Sequence, residues 1–101
     1  MVHVAIKKEA GKFLSLKVKG HADSAPHGQD LVCSAISAVL TGGFNAIESK
    51  NNFHFRLNEG DAELIAKGPV SNHDEIVIET IITSLETIAE GKKKFIKIEI
   101  Q

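Results

Sequence analysis

The sequence predicts an α+β fold in which a sheet, antiparallel or mixed, packs against two helices in the order ββαββαβ. Two patterns support this prediction. Several short segments alternate apolar and polar residues, as half-buried strands do, and two longer segments carry apolar residues at helical spacing. The chain has 101 residues, enough for one hydrophobic core but not for two, so residues 1–101 are predicted to form a single domain.

The first two strands are predicted to form a hairpin. Both alternate apolar with polar or small residues, and the segment Glu9–Lys12 between them can turn the chain. Residues 20–29 follow; they are small or polar and contain the breakers Pro26 and Gly28, which indicate a loop. The alternating apolar residues are Val2, Val4 and Ile6 in the first strand and Leu14, Leu16 and Val18 in the second.

A helix is predicted from about Leu31 to about Ser49. Asp30, directly before it, is a preferred N-cap residue, and no proline or glycine follows until Gly42. Within a helix, Gly42 and Gly43 each cost roughly 1 kcal/mol relative to alanine, so we expect them either to permit close packing or to mark a break. The apolar stripe consists of Val32, Ile36, Val39, Leu40 and Ile47.

A second hairpin, a second helix and a final strand complete the predicted order. The hairpin turns at Asn58–Asp61, and Ser71 with Asp74 three positions later is typical of a helix start. This helix is predicted over 73–90, with Gly91 as the residue that follows its end. The alternating residues are Phe53, Phe55, Leu57, Ala62, Leu64 and Ala66 in the hairpin, and Ile96, Ile98 and Ile100 in the final strand over 95–100.

Charge and cysteine content limit the functional classes. Twelve basic and thirteen acidic residues nearly cancel, which gives no reason to expect nucleic-acid binding. The basic run Lys92–Lys94 follows a predicted helix and is interpreted as its solvated end. A single cysteine cannot form an intrachain disulfide and is typical of a reducing compartment. No apolar run is long enough for a signal peptide or a membrane span, so we expect a cytoplasmic protein without membrane contact.

Cys33, the single cysteine, is a candidate nucleophile. If Asp30 is the N-cap, Cys33 lies in the first helical turn, where unpaired backbone N–H groups and the helix dipole favour the thiolate, the form that attacks. Backbone N–H groups of Cys33 and its neighbours are also expected to be able to form an oxyanion hole. A free cysteine is nevertheless often a small buried core residue, so both interpretations stay open.

Two histidines precede the cysteine. His21 follows a predicted strand end and can activate a thiol, although strand ends also carry histidines without such a role. His27, in the loop, is a rival base. A metal site built from His21, His27 and Cys33 is not expected, because their spacing matches no zinc-binding pattern.

Asp30 and Ser37 are candidate supporting residues. The carboxylate of Asp30 can cap the helix or orient His21 as the third member of a triad. Capping is favoured, because it alone explains an aspartate directly before the helix. Ser37 lies one helical turn after Cys33 on the same face, and its hydroxyl can bond into the site or to its own helix backbone.

The loop and the helix start carry two motifs, Gly20-His21-Ala22 and Gly28-x-Asp30-x-Val32-Cys33, followed by Ser37. Jointly these motifs resemble the ribosomal-processing cysteine protease Prp family, and the predicted order of elements is similar along nearly the whole chain. Mild departures are Ser34, where alanine is common in the family, and His27 and Gln29 in the loop.

The resemblance implies a small homodimeric cysteine peptidase with Cys33 as nucleophile and His21 as acid and base, acting by acyl transfer without a cofactor. It implies as substrate the short N-terminal extension of a large-subunit ribosomal protein, cleaved after a pair of phenylalanines, in support of ribosome assembly.

The loop is expected to move over this substrate, and the extended apolar peptide to lie along an exposed strand edge. The substrate-loop residues are Ala22, Asp23, Ser24, Ala25, Pro26, His27 and Gly28. Two other functional classes stay open: a non-enzymatic, dimeric, ribosome-associated binding module in which Cys33 is structural, and a redox-sensing thiol that forms sulfenic acid without cleaving peptides.

Overall fold

A computed structural model describes residues 1–26 and 28–101 and confirms the predicted α+β order. The candidate base His27 lies outside the described residues. Within them, neither helix is long and apolar enough to cross a membrane. The elements are β1 (Val2–Glu9), β2 (Lys12–Lys19), α1 (Leu31–Ala46), a 3₁₀ turn (Lys50–Asn52), β3 (Phe53–Asn58), β4 (Asp61–Ala66), α2 (Asn72–Gly91) and β5 (Ile96–Ile100).

The five strands form one mixed sheet in the order β3-β4-β2-β1-β5. β5 pairs with β1 in parallel, whereas β1–β2, β2–β4 and β3–β4 are antiparallel pairs. The two hairpins therefore lie side by side through β2 and β4, and β3 and β5 are the edge strands. In the β2–β4 pair, Lys19 lies opposite Asp61, so the end of the first hairpin meets the turn of the second.

Alternation along the strands produces a single apolar core. In β1 every second residue from Val2 to Ile6 is buried, and both helices contribute to the same cluster. Because burial of a large aliphatic side chain stabilises a fold by about 1.5–3 kcal/mol, this cluster provides most of the driving force for folding. The largest apolar side chains that are almost wholly buried are Val4, Ile6, Leu16, Ile47, Leu64 and Leu85.

α1 continues through Gly42 and Gly43, so the glycine pair does not break the helix. A Cβ atom added at Gly43 would collide with Cγ1 and Cδ1 of Ile81 on α2, whereas one added at Gly42 would meet nothing within 4 Å. Gly43 thus permits the close approach of α1 and α2, the first of the two predicted alternatives.

The predicted end of α1 at Ser49 is wrong, because the helix ends at Ala46. Ile47 is the C-cap, and its N–H donates to the carbonyl of Phe44. The N–H groups of Glu48 and Ser49, which follow it, donate to the carboxylate of Asp74 on α2, at 2.7 and 3.0 Å. The N–H groups of Glu48 and Ser49 are therefore engaged with α2 rather than with carbonyl groups of α1.

α2 begins at Asn72 with Ser71 as its N-cap, as the sequence indicates, and the Ser71 hydroxyl accepts a hydrogen bond from the Asp74 N–H. The prediction that Gly91 follows the helix end is wrong: Gly91 is the last helical residue, and Lys92 caps the helix in a conformation with φ of −138°. No left-handed glycine is needed there, because the Lys92 N–H reaches back to the carbonyl of Ala89.

Candidate active site

The register of the sheet positions the candidate site. Because Lys19 pairs with Asp61, the next residue of the first hairpin, Gly20, lies beside Gly60 in the β3–β4 turn, and its N–H donates to the Gly60 carbonyl at 3.0 Å. His21 comes directly after this contact, at the point where the chain leaves the sheet. His21 is therefore attached to the end of β2, which the hydrogen bond between Gly20 and Gly60 holds against the β3–β4 turn.

A cleft of about 600 Å³ opens between this strand end, the start of α1 and the β3–β4 turn. Its volume is in the range of clefts that bind small ligands. Cys33 and His21 both line it, so two side chains twelve positions apart share one cavity. Its other lining residues are Asp23, Ala25, Gly28, Asp30, Ser34, Ser37, Thr41, Leu57, Asn58, Glu59 and Gly60.

Cys33 is the third residue of α1, in the first helical turn, as predicted. Its side chain is half-buried, with one side on the core and one on the cleft. The backbone N–H of Ala22 donates to its sulfur at 3.4 Å. The sulfur therefore lies at the N-terminal end of α1 and accepts a backbone hydrogen bond from the loop.

Asp30 is the N-cap of α1 and is itself buried. Its Oδ1 accepts hydrogen bonds from the N–H groups of Val32 and Cys33, at 3.0 and 3.1 Å, and its Oδ2 accepts one from the N–H of Ser24 at 2.8 Å. The Ser24 hydroxyl donates to Oδ1 as well. This hydroxyl above all, with the backbone donors, holds the pKa of Asp30 well below its usual range, although burial acts in the opposite direction.

Asp30 therefore joins the helix start to the loop. In residues 1–26 and 28–101, no hydrogen bond connects its carboxylate with His21. Of the two predicted alternatives, the geometry favours capping. The expectation that the Cys33 N–H helps to form an oxyanion hole is wrong for this arrangement, because that N–H donates to Asp30, and the Ser34 N–H donates to the Asp30 carbonyl at 3.0 Å.

His21 is exposed, and its imidazole lies against the β3–β4 turn. A Cβ atom placed on Gly60 would be 2.6 Å from Nε2 and 2.8 Å from Cε1 of the ring. Gly60 has φ of +71°, in the left-handed region that favours glycine. The ring therefore occupies the space that a side chain at position 60 would need.

Ser37 faces the cleft from the second turn of α1. In the part of the chain that the structure describes, its hydroxyl makes neither of the two predicted bonds, into the site or to its own helix. The predicted substrate loop borders the cleft through Asp23, Ala25 and Gly28. His27 is outside the described residues, and within them no three His, Cys, Asp or Glu side chains are grouped to hold a metal ion.

The β3–β4 turn is the part of the site that sequence reasoning missed. The residues Asn58–Asp61 were expected to turn the chain, and they do, but nothing nearby in the sequence connects them to Cys33. The connection arises from the long-range pairing of β2 with β4. Leu57, the apolar residue just before the turn, is 43% accessible and lines the cleft, which the apolar alternation of this segment did not indicate.

Known proteins match this chain along almost its whole length. A model of the family described as cysteine protease Prp matches residues 1–97. The ribosomal processing cysteine protease Prp of Bacillus subtilis strain 168 is 33% identical over 113 residues, which cover 97% of this chain and 96% of that protein.

Two crystal structures from Staphylococcus aureus are similar over 100% of both chains. One is an essential ribosomal processing protease Prp in complex with a covalently linked product peptide, 28% identical with a TM-score of 0.89. The other is an essential ribosomal processing protease Prp with a substrate peptide, 26% identical with a TM-score of 0.76. The similarity therefore includes relatives whose structures hold peptides.

Proposed function

The chain belongs to the cysteine protease Prp family, and we propose that it removes the short N-terminal extension of a large-subunit ribosomal protein. The single observation that carries this proposal is the cleft that Cys33 and His21 line together at the start of α1. The names of the relatives, ribosomal processing proteases, support the substrate class.

In the proposed reaction, His21 takes the thiol proton of Cys33, and the thiolate attacks the carbonyl carbon of the scissile peptide bond. A carbon–sulfur bond forms and gives a tetrahedral intermediate, whose carbon–nitrogen bond breaks as His21 gives the proton to the leaving amine. Water, deprotonated by His21, then attacks the carbonyl carbon of the thioester; the carbon–sulfur bond breaks, the acid is released, and the proton held by His21 restores the thiol. The donor from Ala22 supports this scheme because it stabilises negative charge on the sulfur before attack.

Substrate binding is proposed to use the edge of the sheet. β3 is an edge strand, and it ends at Asn58, which lines the cleft. An extended peptide that pairs with this edge would run toward Cys33, and Leu57 would offer it an apolar contact. The loop residues Asp23, Ala25 and Gly28 border the same cleft, which supports the proposal that the loop moves over the bound peptide.

We also propose, on the family resemblance, that the protein works as a homodimer in the cytoplasm and needs no cofactor. Its near-neutral charge gives no support to direct nucleic-acid binding. Its partner is proposed to be the extension peptide itself, in support of ribosome assembly.

The decisive experiment is cleavage of a synthetic peptide that spans the Phe–Phe motif of such an extension, followed by mass spectrometry. The wild-type protein is expected to cut after the second phenylalanine, and Cys33→Ala to bind the peptide without cutting it. Cleavage by Cys33→Ala would exclude Cys33 as nucleophile, and no cleavage by the wild type would contradict the peptidase proposal.

Alkylation separates the peptidase from the two other functional classes. A half-buried Cys33 that lines a cleft should react with iodoacetamide, and His21→Ala should slow the reaction severalfold if His21 holds the thiolate. A thiol that does not react in the folded protein would indicate the binding module. Sulfenic acid formation without peptide cleavage would indicate the redox sensor.

A further inference from the structure

The candidate histidine lies in close contact with the β3–β4 turn at Gly60. A Cβ atom at Gly60 would lie within 3.3 Å of three atoms of the His21 ring: Nε2, Cε1 and Cδ2. Real Cβ atoms do not approach other atoms as closely as the 2.6 Å that Nε2 would require. The imidazole therefore lies in space that a side chain at position 60 would need.

The turn that borders this space is held firmly. Arg56, on β3, donates two hydrogen bonds to the carboxylate of Asp61, at 3.0 and 3.1 Å, and a third to Glu63 at 3.0 Å. Asp61 directly follows Gly60. A two-pronged guanidinium–carboxylate contact is geometrically specific, so the base of the turn is fixed across the hairpin.

The strand end that carries His21 is attached to the same turn. The N–H of Gly20 donates to the carbonyl of Gly60. Gly20 has φ of +102°, and a Cβ atom there would collide with the backbone of Met1, so this position does not accept a side chain. Backbone and ring of the His21 segment are thus both set by position 60.

We propose that Gly60 is a positioning residue, which by lacking a side chain fixes the His21 imidazole against the β3–β4 turn. This inference rests on the proposed function, in which His21 moves the protons. Because a displacement of about 1 Å in a reacting group can cost up to about a hundredfold in rate, a side chain at position 60 should impair chemistry more than binding.

Gly11 provides a matched control. It lies in the turn of the other hairpin with φ of +77°, close to the +71° of Gly60, yet a Cβ atom there would meet nothing within 4 Å. Substitution of Gly11 therefore reports the cost of a left-handed side-chain residue alone, and substitution of Gly60 reports that cost together with the contact to His21.

The variants are Gly60→Ala and Gly60→Asn, with Gly11→Ala and Gly11→Asn as controls. Asparagine tolerates the left-handed conformation better than alanine does and still has a Cβ atom, so Gly60→Asn keeps the collision while it relieves the strain. Circular dichroism at the assay temperature confirms that each variant is folded. If Gly60→Ala is unfolded, Gly60→Asn decides the test.

Two readouts are measured: peptide cleavage, and the histidine ring resonances of protein labelled at its histidines, with His21→Ala to assign the His21 signal. For both Gly60 variants we expect kcat to fall about 10- to 100-fold, KM to change less than about twofold, and the His21 resonance to shift. For both Gly11 variants we expect kcat, KM and the His21 resonance to stay at the wild-type values.

The proposal is overturned if Gly60→Asn and Gly11→Asn have the same kcat and the same His21 resonance. It is also overturned if peptide affinity, measured in the Cys33→Ala background, falls as far as kcat/KM does, because Gly60 would then act on the peptide. A wild-type protein without peptidase activity would contradict the proposed function, whereas the resonance comparison would still decide whether Gly60 sets the position of His21.

Discussion

The buried carboxylate of Asp74, in the first turn of α2, accepts a hydrogen bond of 3.0 Å from the backbone N–H of Ser49, 25 positions earlier in the chain. A second bond, 2.7 Å long, comes from the N–H of Glu48. One side chain therefore satisfies two backbone donors just past the end of α1 and connects them with the start of α2. This connection sets where the two helices meet.

Replacement of Asp74 should destabilise the fold strongly. Asp74→Ala leaves two partly buried N–H groups without their acceptor, and we expect the free energy of unfolding to fall by about 3 kcal/mol. Urea unfolding measures the change. Glu79→Ala, at an exposed position on the same helix, is the control and should lose less than about 0.5 kcal/mol. Equal losses in the two variants would mean that the Asp74 contacts contribute nothing.

Stability should fall in acid. Burial alone would raise the pKa of Asp74, but the N–H donors of Glu48 and Ser49 outweigh it and lower the pKa; hydrogen bonds from Ser24 and the backbone lower the pKa of Asp30. A carboxyl group whose folded pKa lies below its unfolded value, 3.8, stabilises the fold above that value. This stability is lost as the pH falls through 3.8 toward the folded pKa.

Melting temperatures between pH 7 and pH 3 test this expectation. The wild-type protein should melt at nearly constant temperature down to about pH 5 and then progressively lower. Asp74→Asn should start from a lower melting temperature and follow a shallower curve, because one of the two groups responsible has been removed. A wild-type curve that stays flat to pH 3 would contradict the two lowered pKa values.

The adjacent glycines of α1 should respond to alanine in opposite directions. Gly42→Ala fills open space in a helix and should stabilise the protein by up to about 1 kcal/mol. Gly43→Ala drives a methyl group into Ile81 and should destabilise it by about 1–3 kcal/mol. In the double variant Gly43→Ala/Ile81→Ala, the two costs should not add. If Gly42→Ala and Gly43→Ala both stabilise the protein, α1 and α2 can move apart without loss of stability.

The hydroxyl of Ser24 should hold the loop to the helix start. Ser24→Ala removes the donor to Asp30 but leaves three backbone N–H groups on that carboxylate. We therefore expect faster amide exchange in residues 22–26 and a melting temperature within a few degrees of the wild type. Ser34→Ala, beside the same cleft, is the control. Unchanged exchange after Ser24→Ala would mean that the hydroxyl does not restrain the loop.

Local patterns predicted the elements well because each pattern has a local cause. Alternation in 2–6 and 16–18 reflects one buried face of a strand, and Asp30 caps α1 because a carboxylate at that position reaches the first free N–H groups. Cys33 was expected in the first turn for the same reason. These predictions depended on contacts within a few residues. The prediction that Leu14 continues the buried face is wrong, because a register shift in the β1–β2 pair places Phe13 in the core instead.

Predictions that depended on distant contacts were beyond the sequence. Asp74 has the spacing of a capping box, yet its carboxylate turns to Ser49 on another element and shortens α1. Gly60 was identified as a turn residue, but its contact with His21 follows from the pairing of β2 with β4. A single sequence does not contain the order of strands, because that order is set by the packing of the whole core.

The first strand and the last are neighbours in the sheet, with Val2 beside Ile96 and the two strands parallel. Every other element lies in the stretch between them, so their pairing closes the longest loop in the fold. The entropy lost in closing this loop is offset only by contacts that form after β1 and β5 have paired, whereas the hairpins and helices form from nearby residues. We therefore expect the β1–β5 ladder to assemble late during folding and to set its rate. Because β5 is an edge strand and pairs late, we also expect it to be the first strand to separate from the sheet in local unfolding.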